Sequence, residues 1–469
     1  MQALTCDILV IGAGSGGLSV AAGAAQMGAD VILLEGHEMG GDCLNYGCVP
    51  SKALIAAATR AQAMRGAAPY GIAPVEPQVD YAAAKDHVAE VIAQIAPVDS
   101  QERFESFGVR VIRAWGRFVS ETEVEAGDYR ITARRVVVAT GSSPLVPPIP
   151  GLDAVPYLTN ETLWSLKVRP SHLLIIGGGP IGMEMAQAHA RLGCRVTVIE
   201  GARALGRDDP EAAALVLARL KAEGVEVVEG AQVVSVGAGP RITVADGRVF
   251  DGSHLLVAVG RRASVDWLNP DAAGIAVTKA GIKVDARLKT SNRRVYAIGD
   301  VAGGMQFTHL AGYHAGIVVR SAVLGLPAKA RTEHIPRATY THPELAQIGL
   351  TEAEARAAHG ARLAVARFDF HHNDRLLTER HGAGFIKAMV VRGRPVGVTI
   401  VGAQAGELVA LWSLVMANGL KMSAVSAMVS PYPTVSEINK RVAGAYFTPK
   451  LFENDTLKAV VRLIQRWMP

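Results

Sequence analysis

The sequence predicts an α/β protein of several domains, and three observations lead to that prediction. At 469 residues the chain is too long for a single hydrophobic core, so roughly three domains are expected. A hydrophobic content of 49% against 19% charged residues supplies enough apolar side chains for buried cores and argues against disorder. The third observation is a pattern of strand, glycine-rich turn, helix, strand and acid that occurs twice, which is typical of Rossmann-like nucleotide-binding domains.

The first copy of this pattern lies at the start of the chain. Its parts in order are the apolar run 7–11, the glycines Gly12, Gly14 and Gly17, a helix-compatible stretch 18–27, the strand 31–34 and Glu35. The glycines allow a tight turn and let a pyrophosphate approach the helix N-terminus, where free N–H groups and the helix dipole favour negative charge. Glu35 is placed to accept hydrogen bonds from a ribose.

The second copy makes the pattern specific, because a lone GxGxxG turn recurs by chance. Its parts in order are the strand 173–176, the glycines Gly177, Gly179 and Gly182, a helix, the strand 196–199 and Glu200. The interval from first glycine to acid is the same in both copies, 12 to 35 and 177 to 200. Two dinucleotide sites are therefore predicted. The Glu200 carboxylate favours the 2′-hydroxyl of NAD over the 2′-phosphate of NADP, a preference that Arg203 and Arg207 could soften.

Composition narrows the cellular setting and the partners. Four cysteines in so long a chain do not form a structural disulfide framework, and a reducing compartment is expected. The apolar run near the N-terminus lacks the basic region of a signal peptide, and its glycines belong to the nucleotide motif, so a soluble, cytoplasmic protein is predicted. Aromatic residues make up only 5% and no nucleic-acid-binding motif is present, which argues against a nucleic-acid partner.

A cysteine pair follows the first unit, in the segment from Gly40 to Lys52. Pro50 suits the first turn of a helix, so Cys48 is expected near a helix N-terminus, where the dipole stabilises a thiolate. Exchange with an external disulfide needs a second thiol, and Cys43 is close enough in sequence to supply it. Two unrelated buried cysteines or half of a metal site are the alternatives. No second Cys/His cluster has metal-ligand spacing, so no metal is predicted.

The segment from Gly40 to Lys52 resembles the active-site signature of class I pyridine nucleotide–disulfide oxidoreductases, which include dihydrolipoamide dehydrogenase, glutathione reductase and mercuric reductase. The resemblance implies FAD at the first glycine turn, with Gly41 beside it, and NAD(P)H at the second. It also implies that Cys48 is the flavin-facing thiolate and Cys43 the thiol that attacks the acceptor. Lys52 would approach the flavin and pair with Glu184.

Further segments support the same resemblance. The residues that it assigns to cofactor binding are Thr140 and Gly141 at the end of the FAD-domain strand, Gly260 on leaving the NAD domain, Asp300 against the ribityl chain, and Thr308, His309 and Ala311 beside the isoalloxazine. The implied domains are a first FAD-binding part over 1–153, an NAD(P)-binding domain over 154–262, a second FAD-binding part over 263–332 and a dimerisation domain over 333–469. The sequence of this last region predicts strands, among them 382–390 and 396–401, followed by helices. The resemblance to a dimerisation domain implies a homodimer.

The C-terminal region differs from the family pattern at one position. Lipoamide and glutathione enzymes carry a His-Pro-Thr-x-Ser-Glu stretch whose histidine is the acid–base group. Here Tyr432 occupies the histidine position and Glu437 the glutamate position, and both are candidate catalytic residues. A tyrosine with a pKa of about 10 is a poor base at pH 7 but can donate a hydrogen bond. Mercuric reductases share the tyrosine but also carry a C-terminal cysteine pair, whereas this chain has no cysteine after Cys194.

Several functions remain open on this reading. The first is electron transfer between NAD(P)H and a disulfide or dithiol through Cys43 and Cys48, as in dihydrolipoamide dehydrogenase. The alternatives are reduction of a soft metal ion, an NADH:quinone diaphorase activity, and a non-catalytic redox sensor that retains both cofactors.

The residues 455–468 are predicted to form an amphipathic helix with Lys458, Arg462 and Arg466 on its polar face. Such a helix could attach to an anionic membrane surface, dock to a protein, or pack on its own domain.

Overall fold

The computed structural model describes residues 1–468, which form two compact units. The first unit comprises Met1–Gly201 and Gly230–Arg331, and the second comprises Ala202–Glu229 and the chain from Thr332 onward. Both units combine helices with β-sheets, so the predicted α/β class is confirmed.

The first part of the chain supplies most of the first unit. Its strands are β1 (Gln2–Ile11), β2 (Val31–Leu34), β3 (Arg110–Ile112), β4 (Arg117–Phe118), β5 (Glu123–Ala126), β6 (Tyr129–Val138), β7 (Ser142–Pro144), β8 (His172–Ile176) and β9 (Arg195–Ile199). Its helices are α1 (Ser15–Gln26), α2 (Gly41–Asn45), α3 (Cys48–Arg65), α4 (Tyr81–Ile95), α5 (Gln101–Ser106) and α6 (Pro180–Arg191).

The chain then contributes α7 and β10 to the second unit before it returns to the first. These two elements are α7 (Pro210–Ala222) and β10 (Glu226–Val228). The returning segment holds β11 (Val233–Gly237), β12 (Arg241–Val244), β13 (Val249–Asp251), β14 (His254–Val257), β15 (Arg261–Ala263), β16 (Val277–Thr278), β17 (Gly281–Ile282), β18 (Val295–Ala297) and α8 (Thr308–Val318).

The remaining elements belong to the second unit. Its strands are β19 (Pro336–Thr339), β20 (Glu344–Gly349), β21 (Leu363–Asp369), β22 (Phe385–Val391) and β23 (Arg394–Gly402). Its helices are α9 (Glu352–His359), α10 (Asp374–Thr378), α11 (Ala405–Ala417), α12 (Met422–Ser426), α13 (Glu437–Phe452) and α14 (Asp455–Trp467).

The main sheet of the first unit has a parallel centre in the order β3-β2-β1-β6-β18, with β5 and β4 added beyond β6 in antiparallel orientation. The strand β1 starts at Gln2, earlier than the apolar run suggested, because it pairs with β6 along its whole length. The register places Ile11 opposite both Leu34 and Val138, and Val138 opposite Ala297. The first glycine turn and the residues that follow β2, β6 and β18 therefore meet at one edge of this sheet.

A second parallel sheet in the first unit has the order β9-β8-β14. Ile176 at the end of β8 lies opposite Ile199 and Val257, so the second glycine turn and Glu200 also share one edge. The segment after β6 and the segment after β14 pair with each other as β7 and β15, which are antiparallel. The two predicted nucleotide-binding units are therefore both present as strand–turn–helix–strand structures.

The second unit is built on a five-stranded antiparallel sheet in the order β19-β20-β23-β22-β21. The helices α11 and α13 bury their apolar faces with this sheet in a core that includes Trp412, Phe370 and Ile400. The predicted strands 382–390 and 396–401 correspond to β22 and β23. An antiparallel sheet covered by helices is the α+β arrangement expected for this part of the chain.

Within residues 1–468, no helix combines the length and the apolar character needed to cross a bilayer.

Candidate active site

In the first glycine turn, two glycines leave no room for a side chain because of the protein's own packing, whereas the third does leave room. A Cβ atom on Gly12, whose φ is +107°, would lie 2.5 Å from the carbonyl oxygen of Ala139. A Cβ on Gly17 would lie 1.8 Å from the carbonyl oxygen of Gly12. A Cβ on Gly14 would meet nothing closer than the Cα of Gly41 at 4.0 Å. Gly14 precedes α1 directly, so the space in front of this helix N-terminus is open to a ligand.

The second turn repeats the same division. Added Cβ atoms on Gly177 and Gly182 would lie 2.4 Å and 2.0 Å from the carbonyl oxygens of Ala258 and Gly177, whereas one on Gly179 would have nothing within 4 Å. Gly179 precedes α6 as Gly14 precedes α1. Both turns thus fit the close approach of a pyrophosphate at their middle glycine.

The two predicted acids bind the turns that precede them in the sequence. One oxygen of Glu35 accepts a hydrogen bond from the N–H of Ala13 at 2.7 Å, and the other accepts from the N–H of His37 at 2.7 Å. In the second copy of the glycine pattern, Glu200 accepts a hydrogen bond from the N–H of Gly178 at 2.6 Å. Each carboxylate is therefore fixed at the strand end, beside the turn where a ribose is expected.

The cysteine segment packs directly on the first turn. Gly41 has a φ of +61°, and a Cβ atom there would lie 2.7 Å from the Cα of Gly14. This contact brings the short helix α2, which carries Cys43, against the glycine turn. Gly41 is consequently a packing glycine that sets the distance between the thiols and the first dinucleotide site.

Cys43 and Cys48 lie close enough for their thiol groups to share a hydrogen bond, and both are present as free thiols. Cys48 is the first residue of α3, as predicted, and its sulfur lies 3.4 Å from the Thr308 hydroxyl oxygen at the start of α8. The hydrogen bond with Cys43, the hydrogen bond with Thr308 and the charge of Lys52 lower the pKa of Cys48 to about 6. The same shared hydrogen bond and burial raise the pKa of Cys43. The pair therefore holds one thiolate, on Cys48, and one thiol.

The other two cysteines have a different environment. Burial raises the pKa of Cys6 to about 12 and that of Cys194 to about 12. Both are buried as neutral thiols, so the reactive chemistry is confined to Cys43 and Cys48.

Lys52 and Glu184 form the ion pair that the sequence resemblance implied. The Lys52 Nζ and a Glu184 carboxylate oxygen are 2.8 Å apart, and the Glu184 side chain is only 7% exposed. Lys52 lies one turn after Cys48 on α3, and Glu184 lies on the helix that follows the second glycine turn. This pair links the thiols with the second nucleotide-binding unit.

A polar network next to the cysteines was not predicted from the sequence. Arg261 pairs with Asp42 at 2.9 Å, and its Nε donates to the Ser142 hydroxyl oxygen at 2.7 Å. Ser142 in turn donates to the Asp300 carboxylate at 2.5 Å, and Asn160 donates to Asp42 at 3.1 Å. Burial raises the pKa of Asp300. In the sequence, the one signal that could have indicated this network is Asp42, a charged residue directly before Cys43.

Most of the remaining predicted cofactor residues lie around the same sheet edge. Thr140 donates its hydroxyl to the Ser264 carbonyl oxygen at 2.7 Å, and Gly141 accepts from the Ser264 N–H at 3.0 Å. Ala311 packs against the first glycine turn, since a Cβ on Gly16 would lie 3.3 Å from the Ala311 Cβ. The structure thus groups these three residues with Asp300 and the first turn.

The other two predicted cofactor residues, His309 and Gly260, lie at the ends of secondary-structure elements. The His309 ring stacks on Phe307 with centroids 5.2 Å apart, at the start of the same helix as Thr308. Gly260 lies after β14, and a Cβ atom there would have nothing within 4 Å.

Tyr432 and Glu437 belong to the second unit, whereas the cysteines belong to the first. Tyr432 is 70% exposed, and its hydroxyl donates to the Asp374 carboxylate at 2.8 Å. This hydrogen bond and the Asp374 charge raise the pKa of Tyr432 above its usual value. Glu437 is the first residue of α13 and pairs with Arg441 at 2.7 Å. Tyr432 is therefore arranged as a hydrogen-bond donor rather than as a base.

Comparison with known proteins defines the class to which this fold and site belong. The pyridine nucleotide-disulphide oxidoreductase profile matches residues 6–315, and the profile of the family's dimerisation domain matches residues 335–443. The chain belongs to the pyridine nucleotide-disulphide oxidoreductase family, as the cysteine segment indicated. It is accordingly an oxidoreductase of a family that uses FAD together with NAD(P)H, and the matched dimerisation domain supports a homodimer.

The relatives include enzymes with different acceptors. The chain is 33% identical to a mercuric reductase of Bacillus cereus over 441 residues, 92% of this chain and 70% of the relative. It is 32% identical to a dihydrolipoyl dehydrogenase of Bacillus subtilis over 443 residues, 92% of this chain and 96% of the relative. Among solved structures, the HOCl-induced flavoprotein disulfide reductase RclA of Escherichia coli, as its Cu(II) complex, matches with a TM-score of 0.83 and 28% identity over 93% of this chain and 99% of that one.

Proposed function

We propose that this protein transfers electrons from NADH to a disulfide acceptor through FAD and the pair Cys43 and Cys48. The observation that carries the proposal is the thiol pair itself, in which one member has a pKa of about 6, packed through Gly41 on the first glycine turn. A structural role alone would not require a stabilised thiolate at this position.

The cofactor assignment rests on the two turns. Gly12, Gly14, Gly17 and Glu35 would hold the adenosine and pyrophosphate parts of FAD, with Asp300 further along the same sheet edge. Bound there, FAD would supply hydride acceptance from NADH and delivery of the electron pair to sulfur. The second turn would hold the nicotinamide dinucleotide. We assign the FAD-binding parts to 1–153 and 263–332, the NAD-binding domain to 154–262 and the dimerisation domain to 333–469.

The preference for NADH over NADPH rests on Glu200. Its carboxylate is fixed by the N–H of Gly178 at the end of β9, where an acid accepts hydrogen bonds from ribose hydroxyls and repels a 2′-phosphate.

The two thiols have distinct roles in the exchange. The Cys43 sulfur attacks one sulfur of the acceptor disulfide, and the Cys43 proton passes to the other acceptor sulfur, which leaves as a thiol. The Cys48 thiolate then attacks the Cys43 sulfur, which leaves a Cys43–Cys48 disulfide and releases the second acceptor sulfur as a thiolate that takes up a proton from water. Restoring one thiol and one thiolate from this disulfide takes two electrons and one proton, which together equal the one hydride that NADH supplies. The low pKa of Cys48 keeps it ready for the second step at neutral pH.

Tyr432 limits the range of acceptors for which this exchange is fast. Its raised pKa makes it a poorer proton donor than an isolated tyrosine and leaves less phenolate at neutral pH, so it does not replace the histidine of lipoamide-type enzymes as an acid–base group. An acceptor whose leaving thiol has a low pKa departs readily as a thiolate and needs no proton donor. We therefore propose a disulfide with acidic thiols as the preferred substrate of this site.

A soft metal ion is the second candidate acceptor. Two adjacent sulfurs, one of them a thiolate, suit a soft cation. Relatives named mercuric reductase and a solved relative in complex with Cu(II) support this candidate. A quinone is the third, in which case the thiols would be dispensable.

The deciding experiment measures NADH oxidation by the FAD-loaded wild type, Tyr432→His and Cys48→Ser. The acceptors are lipoamide, an aromatic disulfide with acidic thiols, Hg(II), Cu(II) and a soluble quinone. The proposal expects fast turnover with the aromatic disulfide, slow turnover with lipoamide, and a gain in lipoamide turnover for Tyr432→His.

The control variant separates the candidates. Cys48→Ser should lose turnover with disulfides and metal ions while keeping any quinone reductase activity. Turnover with Hg(II) or Cu(II) but with neither disulfide would establish the second candidate. Unchanged disulfide reduction by Cys48→Ser would contradict the proposed role of the thiol pair.

A further inference from the structure

The C-terminal helix α14 presents an apolar face that nothing in the described chain covers. Its six large apolar side chains, none of them buried, range from 36% to 83% exposed: Leu457, Val460, Val461, Leu463, Ile464 and Trp467. With about 3.6 residues per turn these side chains fall on one side of the helix. Packing on its own domain, one of the three arrangements considered for this helix, is not what the structure shows. A continuous exposed apolar face of this kind marks an interaction site.

The opposite side of α14 is positively charged. Lys458, Arg462 and Arg466 recur every four residues, and so they line one stripe of the helix. The sole acid of the helix, Asp455, stands at its first residue and lies 3.5 Å from Lys458. Beyond that first turn the helix carries positive charge alone.

The segment just before α14 also exposes apolar side chains. Leu451 and Phe452, at the end of α13, are 47% and 69% exposed. Asn454 caps α14 by accepting a hydrogen bond from the Leu457 N–H at 3.0 Å, so only Glu453 and Asn454 separate this helix from the exposed pair.

We propose that α14 binds the surface of an anionic lipid bilayer, with its axis in the membrane plane. An apolar face with a purely cationic polar face complements acyl chains below and anionic headgroups around it. A tryptophan at the helix end suits the headgroup level. The inference goes beyond the proposed electron transfer and does not depend on it.

A second copy of the chain fits this face less well than a bilayer does. The protein has a net charge of +5, so a second copy offers no general attraction to a cationic stripe. The match to the family's dimerisation domain ends at residue 443, before α14 begins. The helix therefore lies outside the segment that this match assigns to dimerisation.

The test is co-sedimentation of the full-length, FAD-loaded protein with vesicles. Vesicles of equimolar phosphatidylglycerol and phosphatidylcholine are compared with vesicles of phosphatidylcholine alone. Wild-type protein should bind the anionic vesicles and release as salt rises, because the headgroup attraction is screened. Lys458→Gln/Arg462→Gln/Arg466→Gln should weaken binding on the order of a hundredfold, about fivefold for each basic residue.

A second variant tests the apolar face. Val460→Glu/Ile464→Glu keeps good helix-forming residues but should abolish binding to both vesicle types. Gln465→Asn, on the polar face and uncharged, is the matched control and should bind like wild type. All three variants should retain FAD and full NADH oxidation with a soluble acceptor, which separates this test from the proposed function.

Three results would overturn the proposal. The first is equal wild-type binding to the two vesicle types, or no binding to either. The second is a charge variant that binds anionic vesicles as well as wild type does. The third is dissociation of the dimer into monomers by Val460→Glu/Ile464→Glu in light scattering, which would identify a second copy as the occupant of this face.

Discussion

Replacing Arg261 by methionine should raise the pKa of the Cys48 thiol by about one unit. Arg261 pairs with Asp42 at 2.9 Å, and the Asp42 carboxylate disfavours the Cys48 thiolate. Methionine keeps an unbranched side chain but removes the charge that balances this carboxylate. A nearby charge shifts a pKa by about 1–3 units, and the lower end applies because Asp42 is 37% exposed and water screens it.

The shift can be measured as the rate of Cys48 alkylation by iodoacetamide across the pH range. At pH 7 a thiol with a pKa of about 6 is roughly 90% thiolate, whereas a thiol with a pKa of about 7 is roughly half ionised. The thiolate is the reactive form, so the rate in Arg261→Met should fall about twofold at pH 7. Well above both pKa values the two rates should be equal. Mass spectrometry of the peptide that contains Cys48 distinguishes it from Cys43.

The neighbouring arginine supplies the control. Arg262 pairs with Asp266 at 3.0 Å, and both side chains are more than half exposed, so Arg262→Met should leave the Cys48 pKa unchanged. Asp42→Asn alone should lower this pKa, and the double variant with Arg261→Met should return it close to the wild-type value. An Arg261→Met profile that overlays the wild-type profile would refute the argument, as would an equal effect of Arg262→Met.

Three further predictions concern the cofactor sites and the thiolate. Gly14→Val should lower FAD content with little change in the unfolding of the apoprotein, whereas Gly17→Ala should destabilise the fold, because an added Cβ there lies 1.8 Å from a carbonyl oxygen. FAD absorbance and thermal melting of both apoproteins would show this. An FAD content of Gly14→Val equal to that of the wild type would contradict it. Glu200→Ser should raise kcat/KM for NADPH relative to NADH by removing the carboxylate that opposes a 2′-phosphate, and an unchanged ratio would exclude Glu200 as the determinant. Thr308→Val should raise the Cys48 pKa by removing a hydrogen bond to sulfur, with Thr308→Ser as the conservative control that keeps it; identical alkylation profiles for the two variants would count against this contact.

The features that were predicted from the sequence share a local origin. The glycine turns and their acids lie within one strand–helix–strand unit, so a fixed spacing along the chain becomes a fixed geometry at the sheet edge. The position of Cys48 at a helix N-terminus is local in the same sense, since Pro50 follows within the first turn. The helix α1 starts at Ser15 rather than at residue 18, inside the glycine motif, because Gly16 and Gly17 carry no Cβ and fit the crowded first turn.

The features that were missed depend on contacts between distant segments. Arg261 reaches Asp42 only because β15 pairs with β7 and so places Arg261 next to Ser142 and the cysteine segment. Nothing in the spacing of these residues indicates that contact. The role of Tyr432 is a similar case, since its pKa is raised by Asp374, which begins the helix α10 and is distant in the sequence. The sequence shows the substitution of histidine by tyrosine but not the partner that determines its chemistry.

The asymmetry of the thiol pair follows from which elements surround each sulfur. The Cys48 sulfur lies at the start of α3 and faces the start of α8, and Lys52 on the next turn adds a positive charge. The Cys43 sulfur lies in the short helix α2, directly after the Asp42 carboxylate, which opposes its ionisation. Two identical side chains therefore acquire different pKa values because their shared hydrogen bond favours the thiolate on Cys48 and the thiol on Cys43, and the Lys52 charge favours the Cys48 thiolate further. This difference fixes the order of the proposed exchange, since the sulfur that stays ionised is the one that must close the disulfide.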